Sequence, residues 1–500
     1  MSNKFETLKN TLGEIGDLHS AAALLGWDQQ TYMPPGGAMG RAYALSTLLS
    51  LAHTKFIDPQ VGRLLDELAV ETAGMDPDSD EACLVRAARR NYQKSALVPS
   101  TLVAELSQAT ALAHGAWAEA RAEDNFAKFQ PHLEKIVDLR RRYAGLFAPY
   151  DHIYDPLLDD YEPGMKTADV RAIFDWLRPQ QVALVRRIAE KPVPDDSFLH
   201  QPFDEQKQWD FGVQVITRFG YDWQRGRQDK SAHPFTQGFN SDDVRITTRI
   251  YPDFLNTALF GTMHEAGHAL YEQGVAAALF RTPMAGGASL AVHESQSRMW
   301  ENLIGRSLAF WEHFYPQLQQ IFPAQLGRVD LQTFYKGINK VKPSLIRVEA
   351  DEATYNLHIM LRLEIEIGLM EGKIEVRDLP RIWNERMQEY LGSAPPDDAS
   401  GVLQDVHWSG GMIGYFSTYA LGNLVSVQLW ERMQADLPDL QDQVRAGEFG
   451  ALLGWLREKV HRHGAKFEPQ DLVRRITGSP IDPQPYMAYL NRKYGELYGL

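Results

Sequence analysis

One stretch constrains this chain more than any other. Gly261–Gly274 reads G-T-M-H-E-A-G-H-A-L-Y-E-Q-G and places H-E-x-x-H inside a run with helical periodicity. On a helix His264 and His268 lie one turn apart, so both imidazoles project from one face at a spacing that suits a single metal ion. Glu265 sits about 100° round from His264, near enough to reach a water on that ion without occupying a ligand position. Leu255, Ala258, Leu259, Thr262, Met263, Ala266, Ala269 and Leu270 recur at helical spacing and cover the opposite face. Gly274 reads as the stop. The competing reading is an ordinary amphipathic helix carrying the string by chance, and the helical context favours the metal site.

Two histidines do not complete such a site, because a catalytic zinc needs a third protein ligand and leaves its fourth position to water. A third histidine six residues on, as in metzincins, is excluded, since Tyr271 and Gly274 occupy the positions that pattern requires. A later helix offers His293 and Glu294 instead. Neighbours on a helix point about 100° apart, so only one of the two is expected to face the metal, and spacing does not choose between them.

Composition narrows the setting. With 500 residues, 44% of them hydrophobic, the chain has ample material for a large core, and its length allows two or three units. A formal net charge of −14 argues against a nucleic-acid or anionic-membrane partner, either of which would want a basic face. Cys83 is the only cysteine, which rules out an internal disulfide and a Cys-rich structural zinc site and fits a reducing compartment. The N-terminus has no apolar signal-like run, and stretches such as Ala21–Trp27 fall far short of a membrane span. A cytoplasmic protein is expected.

Along the chain, Phe5 to about Tyr150 is helical in pattern, interrupted at Met33–Gly37 and Ala73–Asp80. Irregular connections at 151–164 and 191–204, rich in Pro and acidic residues, mark possible subdomain edges. Asp243–Ile250 is β-branched and alternating and is the best strand candidate. Helical pattern returns from Ala291 through Ile304 and continues to the C-terminus, broken at Gly392–Gly401 and by glycines near 410–414. The expected fold is mostly α, with a small β-sheet beside the site.

The chain also carries His233-Pro234-Phe235, Asp243-x-Arg245-x-Thr247, His293-Glu294-Ser295, Ile346-Arg347 and Gly401-x-x-Gln404-Asp405-x-His407-Trp408. Together with H-E-x-x-H, and with Leu25-Gly26-Trp27-Asp28 and Met33-Pro34 earlier, these stand in the order and spacing of the carboxypeptidase Taq family of zinc metallocarboxypeptidases, which the chain resembles over nearly its whole length. The resemblance implies a single, largely helical peptidase domain spanning 1–500 and split by a deep central cleft, usually homodimeric, with Zn2+ (Co2+ as a possible substitute) held by His264, His268 and Glu294. It implies that Glu265 acts as base and that His407 and Tyr419, with Tyr415 as the alternative phenol, stabilise the developing oxyanion. Short peptides are the implied partners.

Reading a free C-terminal carboxylate calls for a bidentate arginine. Arg347 begins what reads as a helical stretch in which Asp351, Tyr355, His358 and Arg362 fall within about 80° on a helical wheel. That polar stripe is expected to face something wet, and Arg347 and Asp351 have the spacing of an i,i+4 pair. The resemblance assigns the carboxylate to Arg347, suggests Arg245 as a limit on substrate length, and puts His233 in the cleft wall. Two other classes compete: a peptidase cutting inside short peptides with the same metal chemistry, and a helical scaffold with a structural metal, against which the presence of Glu265 argues.

Overall fold

The helical pattern continues almost unbroken in the computed structural model, which describes residues 3–500. The described residues divide into two units. The first comprises the chain up to Ala96, Asp195–Ile338 and Leu429–Gly478, and the second comprises Leu97–Pro194, Asn339–Gln428 and Ser479–Leu500.

In the first unit, the helices Asn3–Thr31 and Ala38–Phe56 are joined through a short turn at the Pro-Pro-Gly-Gly interruption. Phe5, Leu8 and Leu12 bury against Val61, Leu65 and Leu68 of the next helix and against Cys83, Leu84 and Ala88. That next helix, Pro59–Thr72, starts where its residues dictate: the Asp58 side chain accepts from the Gln60 amide, and Pro59 occupies a position whose N–H would go unused.

The sheet has three strands among the described residues: β1 (Gly226–Lys230), β2 (Thr236–Asn240) and β3 (Asp243–Thr248). Its order is β1-β3-β2, with β1 parallel and β2 antiparallel to β3. The expected Asp243–Ile250 strand is therefore the central one. Its Val244, Ile246, Thr247 and Thr248 are buried, which is why β-branched residues crowd there.

The sheet lies against the Leu255–Gly274 helix, where the hydroxyl of Thr262 donates to that of Thr248 at 3.0 Å. This helix buries residues on most of its circumference, including Leu259, Met263, Ala266, Ala269 and Leu270. It crosses the Leu290–Arg298 helix at Gly267, where a Cβ would stand 2.6 Å from Ser297 Cα and 2.7 Å from the Gln296 carbonyl oxygen. Only glycine allows so close a backbone approach. Past Arg298 the turns widen into a π-helical segment, Met299–Ile304, that carries Glu301 and the fully buried Trp300.

In the second unit, the Glu352–Glu371 helix is buried nearly all round. Asp351 caps it by accepting from the Ala353 and Thr354 amides, and Gly372 ends it at φ 73°. The expected polar stripe does not form. Arg347 belongs to a separate 3-10 turn, Arg347–Glu349, Asp351 is occupied as the cap, and Tyr355, His358 and Arg362 are buried. Residues between Gly392 and Phe416 form no regular element, as their glycines predict, and lead into the helix that begins at Ser417.

The crossing at Gly267 gives a direct test. Gly267→Ala is expected to cost about 1–3 kcal/mol in denaturant unfolding, the scale of overpacking. Gly261→Ala in the same helix, where nothing lies within 4 Å of the new methyl, is expected to leave stability unchanged or raise it by up to about 1 kcal/mol.

Candidate metal centre

Helical spacing brings His264 and His268 to one face, and the crossing at Gly267 brings Glu294 to meet them. The Glu294 Oε2 lies 3.7 Å from His264 Nε2 and 3.5 Å from His268 Nε2. A tetrahedral ion with bonds of about 2.1 Å has ligand atoms roughly 3.4 Å apart, close to the two separations between Glu294 and the histidines. They form a group of possible metal ligands whose atoms all lie within 4.8 Å of one another. Spacing alone does not choose between His293 and Glu294. The structure turns Glu294 to the cluster and places His293 behind His268, and Glu294 is buried, not a surface residue.

The surroundings hold each donor in place. His264 Nδ1 is 2.9 Å from Glu301 Oε2, and His268 Nδ1 is 2.7 Å from His293 Nδ1, which leaves both Nε2 atoms directed to the cluster. Arg298 donates from Nε to Glu294 Oε1 at 2.7 Å and from Nη1 to Glu301 Oε2 at 3.3 Å. Burial disfavours charge on Glu294, but Arg298 and the two imidazoles outweigh it and hold the carboxyl well below its usual range. Burial also pushes His268 down to about 3, so its ring is neutral. His264 moves the other way: burial opposes its charging, yet Glu294 and Glu301 together raise it. Two carboxylates beside one imidazole attract a cation, and either a proton or a metal ion answers that demand.

Glu265 is buried and is not one of the three clustered residues. The Thr236 hydroxyl on β2 lies 2.7 Å from Glu265 Oε2 and 2.9 Å from the Glu265 backbone oxygen, one proton shared between the two acceptors. Burial raises its pKa, against the opposing pull of His264 and Thr236, and so makes it the stronger base.

Sequence reasoning missed Glu301 and Glu272. Glu301 follows Glu294 by seven residues and Glu272 follows His268 by four, spacings that place each over the same face as its ligand. Among the other expected site residues, Arg245 lies on β3, paired through Nε and Nη2 with Asp243 at 2.8 Å and packed over Trp27 at 4.7 Å. His233 is exposed in the β1–β2 connection. Neither belongs to the metal cluster.

The second unit brings together Arg347, His407, Tyr415 and Tyr419. Arg347 donates to Asp405 Oδ1 from Nε at 3.0 Å and from Nη2 at 2.8 Å, and to Tyr355 Oη from Nη1 at 2.9 Å. Arg362 donates to the other oxygen of Asp405 at 2.7 Å. Gln404 bridges them, accepting from the Arg347 amide and from Arg362 Nη2. The Tyr419 hydroxyl is 3.5 Å from His407 Nε2, and the Tyr415 ring packs 5.3 Å from that of His407. Burial, aided by Arg347 and Arg362 and opposed by Asp405, lowers His407 to about 4, so the ring is neutral. Burial keeps the Tyr419 phenol protonated.

These features coincide with a known family. Residues 7–494 match the carboxypeptidase Taq (M32) metallopeptidase family. Thermostable carboxypeptidase 1 of Thermus thermophilus is 44% identical across 99% of both chains, and carboxypeptidase 1 of Bacillus subtilis is 38% identical across 97% of both. The crystal structure of an M32 carboxypeptidase from Deinococcus radiodurans R1 superposes with a TM-score of 0.97 at 41% identity, covering 100% of both chains. The chain belongs to the carboxypeptidase Taq (M32) family. It is a metallocarboxypeptidase, a hydrolase of peptide bonds whose family works with a divalent metal.

The ligand arrangement predicts a separation of roles. Glu294→Ala should leave purified protein without bound metal, whereas Glu265→Gln should retain it nearly as wild type, as measured by elemental analysis after dialysis. Full occupancy in Glu294→Ala would remove Glu294 from the ligand set.

Proposed function

We propose that this enzyme is zinc-dependent and releases single amino acids from the C-termini of short, unstructured peptides, with the whole chain acting as one peptidase domain. The observation that carries this reading is the His264–His268–Glu294 cluster with buried Glu265 beside it. Two neutral imidazoles and one carboxylate are a donor set suited to Zn2+, with Co2+ as a substitute. When bound, such an ion supplies Lewis acidity and brings the pKa of a coordinated water toward neutrality.

The chain's own residues supply the rest. Thr236 holds one oxygen of Glu265, leaving the other to take a proton from the attacking water and return it to the departing amine. His407 and Tyr419 are the proposed donors to the oxyanion, with Tyr415 the alternative, because burial holds imidazole and phenol in their neutral, donating forms. Arg347 is the proposed carboxylate holder. Three of its five N–H groups are engaged, and Arg347 and Arg362 share the single carboxylate of Asp405, which leaves one positive charge over for a substrate's terminal carboxylate. Arg245 is proposed to limit substrate length and His233 to line the path to the site, both by family resemblance.

We also propose a cytoplasmic homodimer. The single cysteine, Cys83, is buried, as suits a reducing compartment, and no helix of the described residues is long and apolar enough to cross a membrane. The Ala38–Phe56 helix exposes Met39, Tyr43, Leu49 and Leu51 and buries only Ala52, a surface suited to a second copy.

Arg347→Ala separates this reading from a peptidase that cuts inside peptides. It should lose about 2–4 kcal/mol of transition-state binding for free-acid peptides, on the scale of truncating a buried charged partner, with metal content unchanged. Wild type should handle the C-terminal amide poorly, and the substitution should barely affect that rate. The measurement is kcat/KM for the acid and amide of one peptide in both proteins, and equal losses would make Arg347 structural.

In the same assays Glu265→Gln should lower kcat by about 10²–10⁴-fold in the metal-loaded enzyme.

A further inference from the structure

We propose that Glu272 and His293 form a proton-ordered relay that fixes the ring tautomer of His268, making Glu272 a positioning residue for the metal centre although it touches no proposed ligand atom. The inference rests on the metal reading of His264, His268 and Glu294.

The relay follows from which atoms can donate. Glu272 Oε1 lies 2.7 Å from His293 Nε2. With His268 Nε2 turned to the metal cluster, the ring proton of His268 lies on Nδ1 and needs an acceptor; the one-proton form of His293 offers it on Nδ1 while its Nε2–H donates to the Glu272 oxygen. The two Nδ1 atoms are 2.7 Å apart, a distance at which one proton must lie between them. His268 supplies that proton and His293 accepts it, which keeps the lone pair of His268 on Nε2, the nitrogen 3.5 Å from Glu294 Oε2. His264 receives the same instruction directly, from Glu301 at 2.9 Å. The two ligand histidines are thus oriented by carboxylates at different removes, one in contact and one through an intervening imidazole.

Two glycines outside the helices hold the relay's space open. A Cβ on Gly238 of β2 would stand 3.2 Å from Glu272 Oε2, and one on Gly287 would stand 2.8 Å from His293 Cδ2 and 2.9 Å from Tyr271 Cε1. The Tyr271 ring closes the other side of His293, centroids 5.1 Å apart. Strand, loop and helix all abut the relay, so its geometry is set by packing and not by a flexible surface contact.

The test is zinc affinity, measured by competition with a chromophoric chelator and independent of turnover. Glu272→Gln, which removes the charge at nearly constant shape, is expected to weaken zinc binding about 10- to 100-fold, the scale found for residues that orient metal-bound histidines. His293→Phe should weaken it comparably, and adding Glu272→Gln to His293→Phe should cost nothing more, because the relay is already cut. Glu301→Gln, acting on the other histidine, should multiply with Glu272→Gln in full. In unsubstituted zinc-loaded protein, 15N-imidazole NMR should place protons on His268 Nδ1 and His293 Nε2.

Zinc affinity within twofold of wild type in Glu272→Gln, independent losses in the Glu272→Gln/His293→Phe pair, or a proton on His268 Nε2 would each overturn the relay. Wild type that fails to bind zinc at all would instead overturn the metal reading beneath it.

Discussion

Burying negative charge without matching positive charge is the constraint on which the first unit depends. Glu265, Glu294, Glu301 and Glu272 are all buried or partly buried around one patch, and taking carboxylates out of water costs several kcal/mol each unless something answers them. Arg298 answers two at once, reaching Glu294 and Glu301, and Arg306 stands 3.6 Å from Glu301. Four negative groups against two guanidiniums leave two negative charges over among these residues, the charge of one divalent cation. Against the effect of burial, Glu294 and Glu301 act on His264 in the same sense, raising its pKa.

The second unit poses the opposite problem. Arg347 and Arg362 are both buried and share Asp405, so positive charge is left over there. Gln404 ties the two arginines to the Gly-rich segment that also presents His407. One step away, Glu366 accepts from the Tyr154 hydroxyl, the Trp408 indole and the Gly414 amide, at 2.6, 2.8 and 2.9 Å. Burial lifts that carboxyl to about 7 against the pull of its three donors. A segment with no regular structure is thereby fixed by side-chain hydrogen bonds in place of a backbone ladder. Gly414, at φ 103°, takes a conformation there that other residues adopt only with strain.

Where sequence reading succeeded and failed follows from the range of the forces involved. H-E-x-x-H, the covering apolar residues and the central strand were legible because period and backbone hydrogen bonding couple residues only a few positions apart. The stripe from Arg347 to Arg362 was misread for the same reason. A helical wheel assumes continuous helix, and the capping role of Asp351 breaks the helix between Arg347 and Tyr355. Burial then placed these polar groups against Asp405 and Gln404, more than forty residues away in sequence, where water had been expected.

The sequence by itself determined that two histidines and a glutamate share a helix in the arrangement of a metal site, and that the chain is a mostly helical member of a peptidase class. Helical spacing left Glu294 and His293 open and only the family resemblance favoured Glu294; the tertiary structure turns Glu294 to the two Nε2 atoms, sets His293 against the far nitrogen of His268, and puts Glu301 and Glu272 behind the imidazoles. The physical reason is that spacing within a helix is set by its own backbone, whereas the rotation and approach of one helix against another are set by contacts such as that of Gly267 with Ser297, 30 residues further along the chain.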